Sequence, residues 1–484
     1  MDVLNEAHFR QGQYNNRRQF LKKCMSGMGG LALGSMLGGD LLAKNLRSNG
    51  PDIGMPHFVP KAKRVIYLHM AGAPSQLELF DYKPELEKLN GQLCPPSILE
   101  GKRFAFIQGR PKMLGPQSNF MQYGDSRTWV SDNLPKFSKV VDEVSFLKAV
   151  HTDEFNHAPA QFLMQTGSPR SGRPSIGSWV TYGLGSPNED LPGFVVLVSR
   201  GGPSGGKRLW GSGFLPTVHQ GVQCQSSGVA VENLDNPTGV DGTMRKRSIE
   251  AINQINELEY QETNDPEILT RISQYELAFR MQTSVPEVMN IDDEPDYIKT
   301  MYGVTPGQNS FANNCLLARR LAENGVRFIQ LYDNGWDMHG AGPGNGVGKG
   351  LKNKCEQIDQ GMSALLLDLK QRGLLEETLV VWGGEFGRTP MMEARSGVNF
   401  LGRDHHNEAF TMWMAGGGIK KGFTHGETDE IGYSGINGRV HVHDLQATIL
   451  NQLGLDHERT TYRFQGRDYR LTDVHGNVIR DILA

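Results

Sequence analysis

Histidines and acidic residues gather in two short stretches of this sequence that have the composition of loops. LYDNGWDMHG contains Asp337 and His339, and GRDHHNEAF contains Asp404, His405 and His406. Imidazole and carboxylate groups hold Zn²⁺, Mn²⁺ or Fe in proteins, while carboxylates also suit Mg²⁺ and Ca²⁺. Asp and Gly are common in ordinary turns, so the first stretch alone is a weak signal. Adjacent histidines beside a carboxylate are rarer, and the two stretches together predict a divalent metal site.

Other residues with acid–base or anion-binding chemistry lie in neighbouring stretches. VVWGGEFGRTP offers Glu385 as a further metal ligand and Arg388 as a contact for an anionic substrate, although the two could equally form a surface ion pair. Further imidazole and carboxylate groups near predicted strand ends are His69, His151, Asp153, Asp333 and Glu408.

The fragment EFNHAPAQFLMQTG places His157 at the start of a predicted helix. Asn156 suits the N-cap position, Pro159 suits the first turn, and Gly167 suits the end of the helix. Backbone N–H groups at a helix start point outward and favour an anion. His157 is therefore either a polar residue whose hydrogen bonds are satisfied at a helix end or a residue with a catalytic role.

Six short apolar runs predict the strands that would position these residues. The runs span 65–70, 142–150, 193–199, 326–333, 378–385 and 409–417. Helical patterns separate most of them, and this alternation predicts an α/β fold with a mainly parallel sheet and helices on both faces. Sites in such sheets gather at the carboxyl ends of the strands. We therefore expect the candidate residues to meet at one edge of the sheet.

The alternation is interrupted between about residues 200 and 325. Residues 200–245 are rich in Gly and Ser with little periodicity, and residues 246–325 are polar and mostly helical. We interpret this region as an insertion or cap on one α/β domain that spans 63–484, preceded by a Pro/Gly-rich linker at 46–62.

Residues 1–45 have the order of a twin-arginine export signal. The pair Arg17-Arg18 is followed by Phe20-Leu21-Lys22 and then by a weakly apolar, Gly-rich run. This order predicts a periplasmic or secreted protein, attached to the membrane only if the signal remains uncleaved.

The composition of the chain argues against several other classes of protein. A net charge of −3 gives no reason to expect nucleic acid as a partner, and no later apolar run is long enough to span a bilayer. The cysteines beyond the signal are widely spaced and lack any C-x-x-C, so they fit neither a zinc knuckle nor a dense disulfide framework. One or two disulfides are compatible with an oxidising periplasm.

Several motifs, taken together, resemble a known bacterial family. They are LHMAGAPSQLELFDYKP, FNHAPAQFLMQTG, GWDMHG, DLKQRGLLEETLVVWGGEFGRTP, GRDHHNEAF and HVHDLQATILNQLGLD. From about residue 60 to 484 the chain resembles domain-of-unknown-function family 1501, which is abundant in planctomycetes and is grouped with the alkaline phosphatase and sulfatase superfamily. The resemblance implies an alkaline phosphatase-like α/β fold. It implies no particular activity, because the family has no general assigned reaction.

The superfamily resemblance gives His157 a specific interpretation. Sulfatases carry C-x-P-S-R-x-x-x-L-T-G, in which the first residue becomes the formylglycine nucleophile. HAPAQFLMQTG keeps the spacing of Pro159 and Thr166-Gly167, but His157 stands at the nucleophile position and Gln161 replaces the activating Arg. The resemblance therefore excludes a formylglycine mechanism. It leaves His157 as a metal ligand or, alternatively, as a nucleophile that forms a phosphohistidine.

Only some of the superfamily's metal-ligand positions have a matching residue in this sequence. Asp337 and His339 resemble its Asp-x-x-x-His pair with shortened spacing, and His405 resembles a later single His. Glu385 falls where relatives have Asp, but the next residue is Phe386 instead of His or Asn. The resemblance thus implies one intact metal site and one damaged site.

At two further positions the superfamily pattern does not imply a catalytic residue in this chain. His69 or Gly72 falls where the first strand usually supplies an Asp. Asp444, in HVHDLQATIL, suits the cap of a helix better than a catalytic role.

These observations lead to two hypotheses from different classes. The first is an exported metal-dependent hydrolase of phosphate or sulfate esters in small molecules or glycans. The second is a catalytically inactive binding or assembly protein of the cell envelope. Family members are often encoded near cytochrome-like proteins, which the resemblance implies as partners in the second case.

Overall fold

The computed structural model describes residues 54–232, 234–393 and 399–484. The predicted export signal at 1–45 and the first part of the predicted linker lie outside these residues. The described residues belong to one compact unit.

The strands of the described chain are short, and none contains more than eight residues. In chain order they are β1 (Arg64–Ala71), β2 (Phe120–Tyr123), β3 (Thr128–Ser131), β4 (Val144–His151), β5 (Phe194–Ser199), β6 (Val222–Cys224), β7 (Phe328–Asn334), β8 (Thr378–Gly383), β9 (Gly387–Met392), β10 (Arg403–His406), β11 (Phe410–Ala415), β12 (Phe423–His425), β13 (Glu427–Thr428), β14 (Gly435–Asn437), β15 (Val440–His441), β16 (Tyr462–Phe464) and β17 (Arg467–Tyr469).

The α-helices range from one turn to more than six turns. In chain order they are α1 (Gln76–Leu79), α2 (Pro84–Lys88), α3 (Pro96–Leu99), α4 (His157–Thr166), α5 (Ile176–Leu184), α6 (Gly242–Thr263), α7 (Pro266–Met289), α8 (Asp296–Tyr302), α9 (Phe311–Glu323), α10 (Lys349–Gln371) and α11 (Val442–Gln452).

Within the described residues, nine strands build one central sheet. Its spatial order is β12, β4, β11, β8, β1, β7, β5 and β6, and β15 also pairs with β4. All of these strands run parallel except β11, which is antiparallel to both β4 and β8. The predicted α/β fold with a mainly parallel sheet is confirmed.

The reversal of β11 decides where the preceding segment lies. Because β11 runs against its neighbours, its first residue, Phe410, lies at the edge where β4 and β8 end. The hairpin of β9 and β10, which comes between β8 and β11 in the chain, therefore remains at this carboxyl edge. A parallel β11 would have carried residues 403–408 to the opposite edge of the sheet.

Both faces of the sheet are covered, which explains why its strands are apolar runs without alternation. Side chains of successive β1 residues pack in hydrophobic clusters on opposite faces of the sheet. Ile66 and Leu68 belong to the first cluster, and Val65 and Tyr67 belong to the second. Helices α9 and α10 contribute side chains to the first cluster, and α5 and α11 contribute to the second. The helices therefore lie on both faces, as the sequence predicts.

The region predicted as an insertion is partly built into the main fold. Strand β6 pairs with β5 at the edge of the sheet. Helix α9 is largely buried and packs against β1, β5 and β7. Of the elements between 200 and 325, α9 thus belongs to the core layer instead of a cap.

The described cysteines Cys94, Cys224, Cys315 and Cys355 are buried free thiols. No helix in the described part of the chain combines the length and the apolar character needed to cross a membrane.

Candidate metal centre

His157 is the first residue of α4, as the sequence predicts, and its ring lies between two carboxylates. Nδ1 is 2.7 Å from Oε1 of Glu385, and Nε2 is 3.1 Å from Oδ1 of Asp337. Asn156 occupies the N-cap position without a side-chain hydrogen bond to the helix, and Gly167 ends the helix with a φ of 67°. His157 therefore does not serve as a helix cap, and its two ring nitrogens connect separate loops.

Asp337, His339 and His405 complete a compact cluster with His157. Asp337 and His339 follow β7, and His405 lies on β10. Oδ1 of Asp337 is 2.7 Å from Nε2 of His339 and 3.4 Å from Nε2 of His405. One ligand atom from each of the four residues lies within 4.8 Å of the other three. The edge of the sheet thus brings together three imidazoles and one carboxylate.

Each imidazole of this cluster also contacts an acceptor through its second nitrogen. Nδ1 of His157 contacts Glu385, Nδ1 of His339 contacts Glu393, and Nδ1 of His405 donates to the carbonyl of Phe155 at 2.7 Å. These contacts fix the ring orientations and direct all three Nε2 atoms toward Asp337. The arrangement is the one that metal-bound histidines usually show.

The donor set fits a transition-metal ion. Nε2 of His339 and Nε2 of His405 lie 3.0 Å apart, although both rings already use Nδ1 for other contacts. Two nitrogen lone pairs at this distance repel each other unless a proton or a cation stands between them. Three imidazole nitrogens and one carboxylate oxygen suit Zn²⁺, Fe or Mn²⁺ better than Mg²⁺ or Ca²⁺, which prefer oxygen ligands.

The carboxylates around the cluster raise the pKa of two of its three imidazoles. Burial alone would lower the pKa of His157, but its contacts with Asp337 and Glu385 outweigh burial and raise the pKa to about 9. The pKa of His339 is raised in the same way, against the effect of burial, by Asp337 and Glu393. The pKa of His405 is lowered by burial and by the nearby Arg388. The two carboxylates therefore favour the protonated forms of His157 and His339, whereas burial favours the neutral form of His405.

The two carboxylates that contact His157 are held in the charged form. Burial disfavours the charge of Asp337, but three imidazoles and Arg388 outweigh it and bring the pKa well below the ordinary value. The pKa of Glu385 is also below its ordinary value, because His157 and His69 outweigh the effect of burial.

Arg388 lies behind the cluster and does not face the solvent. Its guanidinium is fully buried, and Nη2 is 2.6 Å from Oδ1 of Asp337. The other N–H groups donate to backbone carbonyls, including those of Gly72 and Ala73. The prediction that Arg388 contacts a substrate anion is therefore not supported, because its donors are engaged in holding Asp337 and the backbone in place.

Glu385 lies outside the ligand cluster that the sequence assigns it to. Its side chain is completely buried and is separated from Asp337 by the ring of His157. Oε1 accepts hydrogen bonds from the backbone N–H of Gly72 at 3.0 Å and from Nε2 of Gln161 at 2.9 Å. Oε2 is 3.3 Å from Nε2 of His69. Glu385 therefore orients His157 instead of reaching the metal position itself.

The neighbouring candidates Asp404 and His406 have different positions. Asp404 is fully buried and accepts hydrogen bonds from the backbone N–H groups of Phe106 and Ile107, each at 2.8 Å. With His339 and Glu393 it forms a second group of metal-compatible atoms within 4.8 Å of one another. His406 is 2.5 Å from the carbonyl of Tyr433. Successive strand residues point to opposite sides, so His406 cannot face the cluster that His405 faces.

The remaining candidates stabilise the fold around the site. Asp333 contacts Lys354 at 2.5 Å and accepts a hydrogen bond from Ser199. Glu408 pairs with Lys102. Asp444 occupies the third position of α11 and accepts a hydrogen bond from the backbone N–H of His441, which supports its predicted capping role.

Two partners of the cluster have no clear signal in the sequence. Glu393 follows β9 but belongs to no recognisable ligand motif, and the carbonyl of Phe155 carries no side-chain information. Both partners can be identified only from the three-dimensional structure.

None of the curated proteins compared with the chain matches it. Similar solved structures include the PsFucS1 sulfatase from Pseudoalteromonas sp., with 11% identity and a TM-score of 0.38 over 87% of this chain and 72% of that chain. The lipoteichoic acid synthase LtaP from Listeria monocytogenes has 9% identity and a TM-score of 0.35, covering 90% of this chain and 79% of that one.

A third similar structure is a mutant of the TAB5 alkaline phosphatase with Mg bound in its M3 site. It has 11% identity and a TM-score of 0.33, over 82% of this chain and 99% of that chain. At these values the similarities do not identify an activity. A family model described as "Protein of unknown function (DUF1501)" matches residues 62–483, and the chain therefore belongs to this family.

Proposed function

We propose that this protein is a metal-dependent hydrolase of phosphate or sulfate esters that uses one transition-metal ion. His157, Asp337, His339 and His405 would hold the ion. The observation that supports this most strongly is the convergence of three Nε2 atoms on Oδ1 of Asp337, with each Nδ1 atom in contact with a separate acceptor.

A bound metal ion would supply Lewis-acid polarisation of an ester oxygen and a lowered pKa for a bound water. The residues of the chain would orient the reactants. Asp337 is the most exposed member of the cluster, with 41% of its side chain accessible, so a substrate would approach from its side. The Phe106 ring lies nearly perpendicular to the rings of His339 and His405, at centroid distances of 5.0 and 5.4 Å, which limits access from that direction.

His157 has two roles open to it in this mechanism. Its position at the start of α4 and its contact with Glu385 support a ligand whose basicity is raised by a carboxylate. The same contact would support a nucleophile or general base. No formylglycine can form here, because a histidine stands at the corresponding position.

We further propose that the protein is exported to the periplasm or secreted. The proposal is supported by the order of charged and apolar residues in 1–45. If this segment remained uncleaved, it would attach the protein to the membrane.

A second candidate function is favoured by the number of protein ligands. Structural zinc sites are closed by four protein ligands, whereas catalytic sites usually keep one position open. Four residues converge here, and Arg388 is not free to contact a substrate. The alternative is therefore a catalytically inactive binding or assembly protein of the cell envelope, with a cytochrome-like protein as the expected partner.

A substrate screen with matched variants separates the two functions. Protein loaded with Zn²⁺, Mn²⁺ or Fe²⁺ would be assayed against aryl phosphates and aryl sulfates. A hydrolase should show turnover that disappears in His405→Ala and persists in His406→Ala, because only His405 faces the cluster. Metal-loaded wild-type protein that hydrolyses neither class of ester would favour the binding function.

A further inference from the structure

Helix α6 lies at the surface of the molecule and packs against α7. Its buried residues are Ile249 and Asn256, which lie on one face. On the same side, Nδ2 of Asn253 donates to Glu276 of α7 at 3.2 Å. This face accounts for the attachment of α6 to the rest of the molecule.

The opposite face of α6 presents an apolar stripe to solvent. Met244, Ile255 and Leu258 are exposed by 52%, 65% and 63%, and Ser248 and Ala251 are also exposed. From Met244 to Leu258 these positions follow one another at intervals of four, three, four and three residues. These positions have the 3.5-residue spacing of a coiled-coil seam, with apolar residues at four of them and Ser248 at the fifth. A helix that only covered the core would place such residues on the face toward α7.

The charges of α6 are distributed unequally along its length. Arg245, Lys246 and Arg247 lie in the first turns, and Glu257, Glu259 and Glu262 lie in the last turns. Two parallel copies of this helix would bring like charges together. Two antiparallel copies would bring the basic start of each helix next to the acidic end of the other.

We propose that α6 is a dimerisation helix that pairs with α6 of a second copy of this chain, in antiparallel orientation about a two-fold axis. Ile252, which is 38% exposed, flanks the apolar stripe near the middle of the helix. A register that places Ile252 against Ile252 of the second copy brings Arg245 opposite Glu259, because each lies seven residues from Ile252. The surface is thus complementary to itself in both apolar character and charge, as a two-fold interface requires.

Sedimentation of the full chain tests this proposal. Wild-type protein should sediment at twice the chain mass of 53.6 kDa. Ile255→Lys places a charge in the seam, and it should raise the dimer dissociation constant by at least about tenfold, since apolar a and d positions hold coiled coils together. As a matched control, Ile436→Lys replaces an isoleucine of β14 that is 61% exposed, and it should leave the dimer intact.

A charge exchange tests the antiparallel register itself. Arg245→Glu and Glu259→Arg should each weaken the dimer about threefold or more, because exposed ion pairs contribute modestly and like charges repel. The double variant, in which the charges are exchanged, should restore wild-type association. The proposal would be overturned by a monomeric wild-type protein, by a dimer that is insensitive to Ile255→Lys, or by a double variant that is no stronger than the single ones.

Discussion

His157 donates from Nδ1 to the buried carboxylate of Glu385 at 2.7 Å, and this contact directs the other ring nitrogen toward Asp337. A residue at the start of a helix is thereby turned away from the helix backbone and toward the loops that follow β7. The ring of His157 is thereby part of a group of three imidazoles around Asp337.

Replacement of Glu385 should weaken metal binding without removing a ligand. In Glu385→Gln the acceptor of the His157 proton loses its charge, so the ring becomes less basic and less firmly oriented. We expect metal affinity to fall about 10- to 100-fold, as for other carboxylates that support a metal-bound histidine. Metal titration would measure the change. Glu408→Gln is the control, because Glu408 pairs with Lys102 outside the cluster, and an equal loss in that variant would contradict the assignment.

Metal affinity should rise with pH. His157 has a pKa of about 9 without metal, so at neutral pH its Nε2 carries a proton that a metal ion must displace. Apparent affinity should therefore increase as the pH rises toward about 9 and change less above that value. Titrations at several pH values would also detect proton release on binding. An affinity that is constant or falls over this range would show that His157 is not a ligand.

Gly72 should be intolerant of a side chain for two separable reasons. Its φ is 110°, and an added Cβ would lie 2.7 Å from the backbone nitrogen of Asp337. Gly335 has a similar φ of 99° but open space around it. We expect Gly72→Ala to lower the free energy of unfolding by roughly 2–4 kcal/mol, and Gly335→Ala to lower it less. Equal losses in denaturant titrations would mean that the contact with Asp337 is not tight.

His157→Ala should distinguish the two roles of this residue. If His157 is a ligand, metal content and ester hydrolysis should fall together, because few ligands hold the ion. Retained metal with lost hydrolysis would instead identify a nucleophile or general base. The measurement requires metal analysis and the aryl ester assay on the same preparation.

The main strands could be predicted from the sequence because both faces of the sheet are buried. The run 326–333 corresponds closely to Phe328–Asn334, and 193–199 corresponds to Phe194–Ser199. The direction of β11 could not be predicted, because an apolar run carries no sign of its orientation. Yet this reversal keeps His405 at the same edge as Asp337.

The site could be predicted by residue type but not by orientation. Adjacent histidines mark a candidate ligand, but the strand pleat alone decides that His405 faces the cluster and His406 does not. In the same way, nothing in VVWGGEFGRTP indicates that Glu385 and Arg388 would each be buried behind a ligand. Glu393 has no motif at all and is identified only by its contact with His339.

The most direct test of the metal centre is anomalous diffraction from crystals of the metal-loaded protein. Data recorded on both sides of the absorption edge of the bound metal would locate the ion. One strong peak is expected about 2.0–2.2 Å from Nε2 of His157, His339 and His405 and from a carboxylate oxygen of Asp337. The absence of a peak among these four residues after loading, or a peak located elsewhere in the molecule, would contradict this expectation.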